Sequence, residues 1–146
     1  MRNGAGEVHI LLVEDNPGDV RLTLEALHDG RISNQVTVVH DGEEALDFLR
    51  RRGKHSDADR PHLVLLDLNL PKKDGREVLE EVKSDPVLHR IPVIVLTTSS
   101  AERDVLLSYD LHANCYIKKP IDYEEFMAAI RGIENFWTKI VRLPPE

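Results

Sequence analysis

Apolar and polar positions alternate in blocks along the chain, and the blocks have the lengths of strands and helices. The clearest block is His62–Pro71, in which the aliphatic run Leu63–Leu66 follows Pro61 and ends at Asp67. Such a run is too short for a helix and is typical of a strand buried on both faces of a parallel sheet. A buried strand has no structural use for a carboxylate at its end, which is where open α/β sheets carry their chemistry. Asp67 is therefore the first candidate functional residue.

The rest of the chain repeats this pattern of short apolar runs followed by apolar residues at helical spacing. Four more strands are predicted, at Val8–Val13, Gln35–Val39, Pro92–Thr97 and Cys115–Ile117. Helices are predicted over residues 17–30, 42–53, 75–85 and 100–110, and from residue 122 onward, with Asn16 as the cap of the first. Strands and helices that alternate and are joined by right-handed crossovers predict a parallel sheet with helices on both faces.

Length and composition limit the classes of protein to consider. A chain of 146 residues, 41% hydrophobic and 31% charged, suits one domain with a real core. Its net charge of −7 argues against nucleic acid or an anionic membrane as the partner. No apolar run approaches the roughly 20 residues of a membrane span, and residues 1–6 do not resemble a signal peptide. The single cysteine, Cys115, fits a reducing compartment, so a cytoplasmic location is expected.

Polar residues stand at the ends of four of the predicted strands. Glu14 and Asp15 follow the first strand, Asp67 ends the central one, and Thr97 and Lys119 end the last two. If these ends converge, three carboxylates share a small volume, and their repulsion raises a pKa or recruits a cation. Oxygen ligands without nearby His or Cys favour magnesium. With a hydroxyl and an ammonium beside them, these groups suit a carboxylate nucleophile that accepts a phosphoryl group.

In this arrangement the chain resembles the response-regulator receiver domain, the phospho-accepting half of two-component signalling. The resemblance runs from about Val8 to Ile130. Its ordered motifs are Glu14-Asp15, Asp67-Leu68-Asn69-Leu70-Pro71 with Asp74-Gly75, Thr97, and Lys119-Pro120. It implies a doubly wound (βα)5 flavodoxin-like fold with strand order 2-1-3-4-5. It also implies phosphate transfer from a histidine of a sensor kinase and a requirement for Mg²⁺.

The resemblance further assigns roles to residues of the candidate metal site. It implies that Asp67 is the phospho-acceptor and also lies in the metal site. Asp15 and the main-chain carbonyl of Asn69 match the direct metal ligands of the family, and Glu14 matches a ligand that acts through water.

Three further positions match residues that handle the phosphoryl group in this family. Lys119 corresponds to the phosphate-binding lysine, and Thr97 and Tyr116 correspond to the pair of switch residues. On this interpretation the protein is no enzyme, beyond catalysing its own phosphorylation and dephosphorylation.

Two other classes of protein, and an adaptor built on the receiver fold, share part of this pattern. A haloacid-dehalogenase-type phosphatase also uses an aspartate nucleophile at a strand end, but it needs a second aspartate two residues later, where Asn69 stands. A flavodoxin needs a phosphate-binding loop after the first strand, where Glu14 and Asp15 would repel phosphate. A phosphate-independent adaptor with a receiver fold fits less well, because every expected site residue is present.

The two ends of the chain set the expected domain boundaries, and the C-terminal end also indicates which partners to expect. We expect an N-terminal tail over residues 1–7, a receiver domain over 8–134, and a C-terminal extension over 135–146. That extension and the long loop before the central strand resemble the stand-alone regulators paired with cyanobacterial and bacterial phytochromes. Without an output domain, such a protein signals through altered protein contacts or through transfer to a histidine phosphotransfer protein.

The last predicted helix carries more apolar surface than one domain needs. The apolar positions are Phe126, Met127, Ile130, Ile133, Phe136, Trp137, Ile140 and Val141. This surface extends past the point where the sheet should end, so a homodimer through the final helix and tail is expected. The alternative is a tail that folds back onto its own domain.

Overall fold

The computed structural model describes residues 8–29, 34–97, 113, 115–119, 122, 124–125 and 128. Its elements are β1 (Val8–Val13), α1 (Pro17–Asp29), β2 (Asn34–Val39), α2 (Gly42–Leu49), β3 (Leu63–Asp67), α3 (Gly75–Ser84), β4 (Val93–Thr97) and β5 (Cys115–Lys118). Short 3-10 turns lie at Gly53–His55 and Leu88–Arg90. The helices predicted at 100–110 and from 122 onward fall outside the described residues apart from isolated positions, as do the tail 1–7 and the segment 135–146.

The second helix is shorter than the sequence pattern predicts. Asp41 caps its start by accepting a hydrogen bond of 2.8 Å from the backbone N–H of Glu44. The helix ends at Leu49, whereas the prediction placed its end near Gly53. Arg51 already adopts a left-handed φ of 57°, which takes the chain out of the helical path. The prediction was wrong because glycine is the usual left-handed residue after a helix, and here an arginine takes that conformation first.

The strands form a parallel sheet in the order β2-β1-β3-β4-β5, as expected from the resemblance. The register pairs Val13 of β1 with Leu66 of β3, so that Glu14 and Asp67 follow at the same level of neighbouring strands. Thr97 of β4 likewise pairs with Lys118 of β5. The carboxyl ends of the strands therefore meet along one edge of the sheet.

The two faces of the sheet are buried under different helices. On one face, α2 and α3 cover side chains from the three central strands. The buried residues there include Leu11, Val13, Leu46, Leu49, Val64, Leu66, Val78, Leu79, Val82 and Val95. On the opposite face, Leu27 of α1 packs with Ile10, Leu12, Leu63, Leu65, Ile94, Leu96 and Ile117. Successive strand residues alternate between the two clusters, as the period of a strand requires.

The helices in the described ranges 8–29 and 34–97 are short. None of them combines the length and the apolarity that a helix needs to cross a bilayer.

The loop after β3 is held close to the sheet by glycine. Gly75 donates its N–H to the carbonyl oxygen of Leu68 at 3.0 Å. A Cβ at Gly75 would lie 2.6 Å from the Cα of Leu68 and would collide with the carbonyl oxygen of Asp67. Asp74 and Glu77 form a capping box that starts α3 at this point. The absence of a side chain at Gly75 thus lets α3 begin directly against the end of β3.

Candidate functional site

Three carboxylates lie together where β1 and β3 end. One oxygen atom from each of Glu14, Asp15 and Asp67 lies within 4.8 Å of the others. Glu14 and Asp67 are buried, whereas Asp15 is exposed to solvent. The group therefore has a closed inner side and an open outer side, from which an ion or a phosphodonor can enter.

Main-chain hydrogen bonds fix the turn that carries Glu14. Its N–H donates to the carbonyl oxygen of Val39 in β2 at 3.0 Å, which prolongs the strand pairing by one residue. The N–H of Asn16 donates to Glu14 Oε2 at 3.3 Å. Asn16 also caps α1, as predicted, because its Oδ1 accepts the N–H of Asp19 at 3.0 Å. The side chain of Glu14 is thus oriented inward by the same turn that begins the helix.

Lys119 joins these acids from the far edge of the sheet. Its Nζ lies 2.7 Å from Asp19 Oδ2, 3.2 Å from Glu14 Oε1 and 3.2 Å from Asp67 Oδ1. The backbone N–H of Lys119 donates to the carbonyl oxygen of Thr97 at 2.7 Å, which anchors the end of β5 to β4. A largely buried ammonium therefore compensates part of the negative charge of the site.

The crowding of acids changes their protonation. Burial, and secondarily the charge of Asp67, raise the pKa of Glu14 to about 7, although Lys119 opposes this shift. Burial also raises the pKa of Asp67, against the opposing effects of Lys119 and of the Asn69 N–H that donates to the carboxylate. Burial lowers the pKa of Lys119, but the hydrogen bond that Lys119 donates to Asp19 and the charges of Asp67 and Glu14 outweigh this effect, and the net shift is upward.

The donor set fits a hard divalent cation. Glu14, Asp15 and Asp67 offer only oxygen atoms, which are the ligands that magnesium and manganese prefer. Asp67 Oδ1 is buried and accepts no hydrogen bond of good geometry, even though Lys119 Nζ is 3.2 Å away. An ionised oxygen of this kind is costly to bury without a partner. A cation at this position would satisfy it and would let Glu14 lose its proton.

The remaining predicted residues lie around this centre. Asn69 is exposed in the loop after β3, and its carbonyl remains a predicted ligand. Thr97 is buried at the end of β4. Tyr116 is half-buried in β5, opposite Val95, and packs against the cluster under α2 and α3. Thr97 and Tyr116 thus flank Lys119 on two adjacent strands.

One residue of the centre was missed by the sequence analysis. Asp19 lies in the first turn of α1 and makes the shortest of the three carboxylate contacts of Lys119. Acidic residues are common in the first turn of a helix, so this one gave no particular indication of a function. Its place in the first turn of the helix that directly follows β1 is the sequence feature that pointed toward the same edge.

Comparison with known proteins agrees with this geometry. The family model described as the response regulator receiver domain matches residues 10–131. Response regulator Rcp1 of Synechocystis is 50% identical over 135 residues, which cover 92% of this chain and 92% of Rcp1. A crystal structure of the Mn²⁺-bound form of Rcp1 matches with a TM-score of 0.74 and 49% identity, over 94% of this chain and 99% of that one.

Two further solved structures are similar over almost the whole chain. The phosphorylated cyanobacterial phytochrome response regulator RcpA is 52% identical, with a TM-score of 0.76 and coverage of 95% of this chain and 99% of its own. The bacteriophytochrome response regulator RtBRR is 46% identical, with a TM-score of 0.84 and coverage of 94% and 84%. From the match over residues 10–131, the sheet order and the acidic centre, we conclude that this chain belongs to the response regulator receiver domain family.

Proposed function

We propose that Asp67 accepts a phosphoryl group from the phosphohistidine of a sensor kinase, in a reaction that depends on Mg²⁺. Glu14, Asp15, Asp67 and the carbonyl of Asn69 would hold the ion, with Glu14 acting through water. The observation that carries this proposal is the cluster of three carboxylates with Lys119 at 3.2 Å from Asp67 Oδ1. The product is a signalling state of the protein and not a released metabolite.

The chemistry follows from the surroundings of Asp67. A carboxylate oxygen attacks the phosphorus atom, an O–P bond forms, and the N–P bond of the phosphohistidine breaks as its electron pair returns to the imidazole. Bound Mg²⁺ supplies positive charge for the phosphoryl oxygens. Lys119 supplies a second positive charge from the buried side, and the main-chain N–H of Asn69 orients the carboxylate. Gly75 lets α3 begin against the main chain of Asp67 and Leu68.

The switch that reports phosphorylation would involve Thr97 and Tyr116. A phosphoryl group brings close to two negative charges and three acceptor oxygens. The hydroxyl of Thr97 lies at the end of the strand beside β3 and is suited to donate to one of them. Its movement would leave room for Tyr116, on the adjacent strand, to turn inward. The changed surface then binds a partner, or the phosphoryl group passes on to a histidine phosphotransfer protein.

The nature of two relatives supports a phytochrome-type kinase as the partner. RcpA is a cyanobacterial phytochrome response regulator and RtBRR a bacteriophytochrome response regulator. We extend that partnership to this protein on the basis of 52% and 46% identity. The exchange would take place in the cytoplasm, in keeping with a single cysteine in 146 residues.

The first test replaces the phospho-acceptor. With Mg²⁺ and either acetyl phosphate or a kinase, the wild-type protein should take up one acid-stable, alkali-labile phosphoryl group, and Asp67→Asn should take up none, because an amide oxygen is a poor nucleophile. Asp57→Asn, at an exposed aspartate of the loop before β3, is the matched control and should be labelled normally. Label of the same stability on Asp67→Asn would show that the acceptor is another residue.

The second test uses the pKa of Glu14. Because this pKa is about 7 without metal, Mg²⁺ must displace a proton, and the affinity should rise about tenfold between pH 6 and pH 8. Glu14→Gln should bind more weakly and lose most of this pH dependence. In EDTA, the stability of the protein should depend on pH in the opposite direction. The folded protein retains a proton on Glu14 that the unfolded chain releases between pH 4.5 and 7. The free energy of unfolding should therefore fall as pH rises through that window. Calorimetric titration that finds equal affinity at pH 6 and pH 8 would contradict the assignment.

We also propose a homodimer through the final helix and residues 135–146, which lie outside the described residues. Its support is the run of apolar side chains on that segment, from Phe126 to Val141. In sedimentation experiments the intact chain should dissociate with dilution. A chain truncated after Gly132 should be monomeric, and Trp137→Ala should weaken the dimer. A concentration-independent monomer for the intact protein, phosphorylated or not, would rule the dimer out.

A further inference from the structure

Asp19 holds Lys119 more tightly than the phospho-acceptor does. Its Oδ2 lies 2.7 Å from Lys119 Nζ, against 3.2 Å for the closest oxygen of Glu14 and of Asp67. Lys119 donates hydrogen bonds to Asp19 and to Glu14. Its contact with Asp67 Oδ1 is an ion pair of 3.2 Å. The ammonium group therefore lies closer to Asp19 of α1 than to either of the other two carboxylates.

A bound cation would not remove this restraint. Among the described residues, the three carboxylates that lie close enough to share a metal ion are Glu14, Asp15 and Asp67, and Asp19 is not one of them. Metal binding would therefore engage Glu14 and leave Asp19 as the competing anion beside Lys119. The Asp19 side chain is 28% exposed, whereas Glu14 is fully buried. Asp19 would thus still lie beside Lys119 when the phosphoryl group arrives.

We propose that Asp19 is a restraining residue, which competes with the phosphoryl group for Lys119 and so limits the affinity of the site for that group. This inference rests on the proposed function of Asp67. Two effects act in the same direction. Asp19 engages an N–H donor that a phosphoryl oxygen would otherwise receive. It also keeps one more negative charge in a site that is about to gain close to two.

A simpler role for Asp19 makes a different prediction. An acidic residue in the first turn stabilises a helix through its dipole, whatever else it contacts. Removal of its charge would then destabilise the fold and would lower the affinity for every ligand alike. Glu43 provides a matched control, because it is an exposed acid in the first turn of α2 that makes no contact with Lys119.

The experiment compares two ligands on Asp19→Asn, which keeps the size and an acceptor oxygen but not the charge. Beryllofluoride, a mimic of the phosphoryl group, should bind about 3- to 10-fold more tightly than to the wild type at saturating Mg²⁺. Mg²⁺ alone should bind equally or more weakly, because a nearby negative charge is gone. Glu43→Gln should change neither affinity. Tighter binding of beryllofluoride without tighter binding of Mg²⁺ is what a purely structural role cannot produce.

The proposal is overturned if beryllofluoride binds Asp19→Asn with unchanged or lower affinity while Mg²⁺ binding is retained. Asp19→Ser serves the same comparison if the asparagine variant is poorly folded by circular dichroism. A failure of the proposed function itself would appear differently. Beryllofluoride would then bind Asp67→Asn as well as it binds the wild type, or would not bind the wild type at all, and the role of Asp19 would fall with it.

Discussion

The contact of one ammonium group with three carboxylates is the interaction on which the site depends. Glu14 and Asp67 are buried side by side, and their charges would be costly without a cation. Lys119 provides that cation at 2.7–3.2 Å from Asp19, Glu14 and Asp67. The compensation is incomplete, as the raised pKa values of Glu14 and Asp67 indicate. This residual negative charge favours a divalent cation at the site.

The order of the strands in the sheet brings together residues that are far apart in the chain. In the order β2-β1-β3-β4-β5, the strands that deliver Glu14 and Asp67 are neighbours, and β5 delivers Lys119 from the edge. Lys119 and Glu14 are 105 positions apart in the chain, yet they meet because parallel strands end at one edge. The hydrogen bond from the Lys119 N–H to the Thr97 carbonyl also ties the lysine to β4. The proposed switch would thus involve β4 and β5 through this hydrogen bond.

The sequence predicted the strands and the convergence of the acids, because these depend on local patterns and on a general rule of parallel sheets, whereas the strand order was implied by the resemblance to the receiver family. The apolar run before Asp67 and the acids after Val13 are examples. Two features could not be predicted in this way. The end of α2 depends on the left-handed conformation of Arg51, and arginine is not a residue type that predicts this conformation. The role of Asp19 depends on a partner 100 positions away, and a first-turn acid is the same in sequence whether or not such a partner exists.

The most direct test of the central claim is the thermal or denaturant unfolding of Lys119→Met at pH 8, measured in EDTA and in Mg²⁺. Removal of the ammonium leaves buried carboxylates without a cation, so the variant should lose about 3–5 kcal/mol of stability in EDTA. Because Mg²⁺ can neutralise the same acids, it should stabilise the variant by more than it stabilises the wild type. A variant as stable as the wild type in EDTA, or one that gains less from Mg²⁺, would contradict the account.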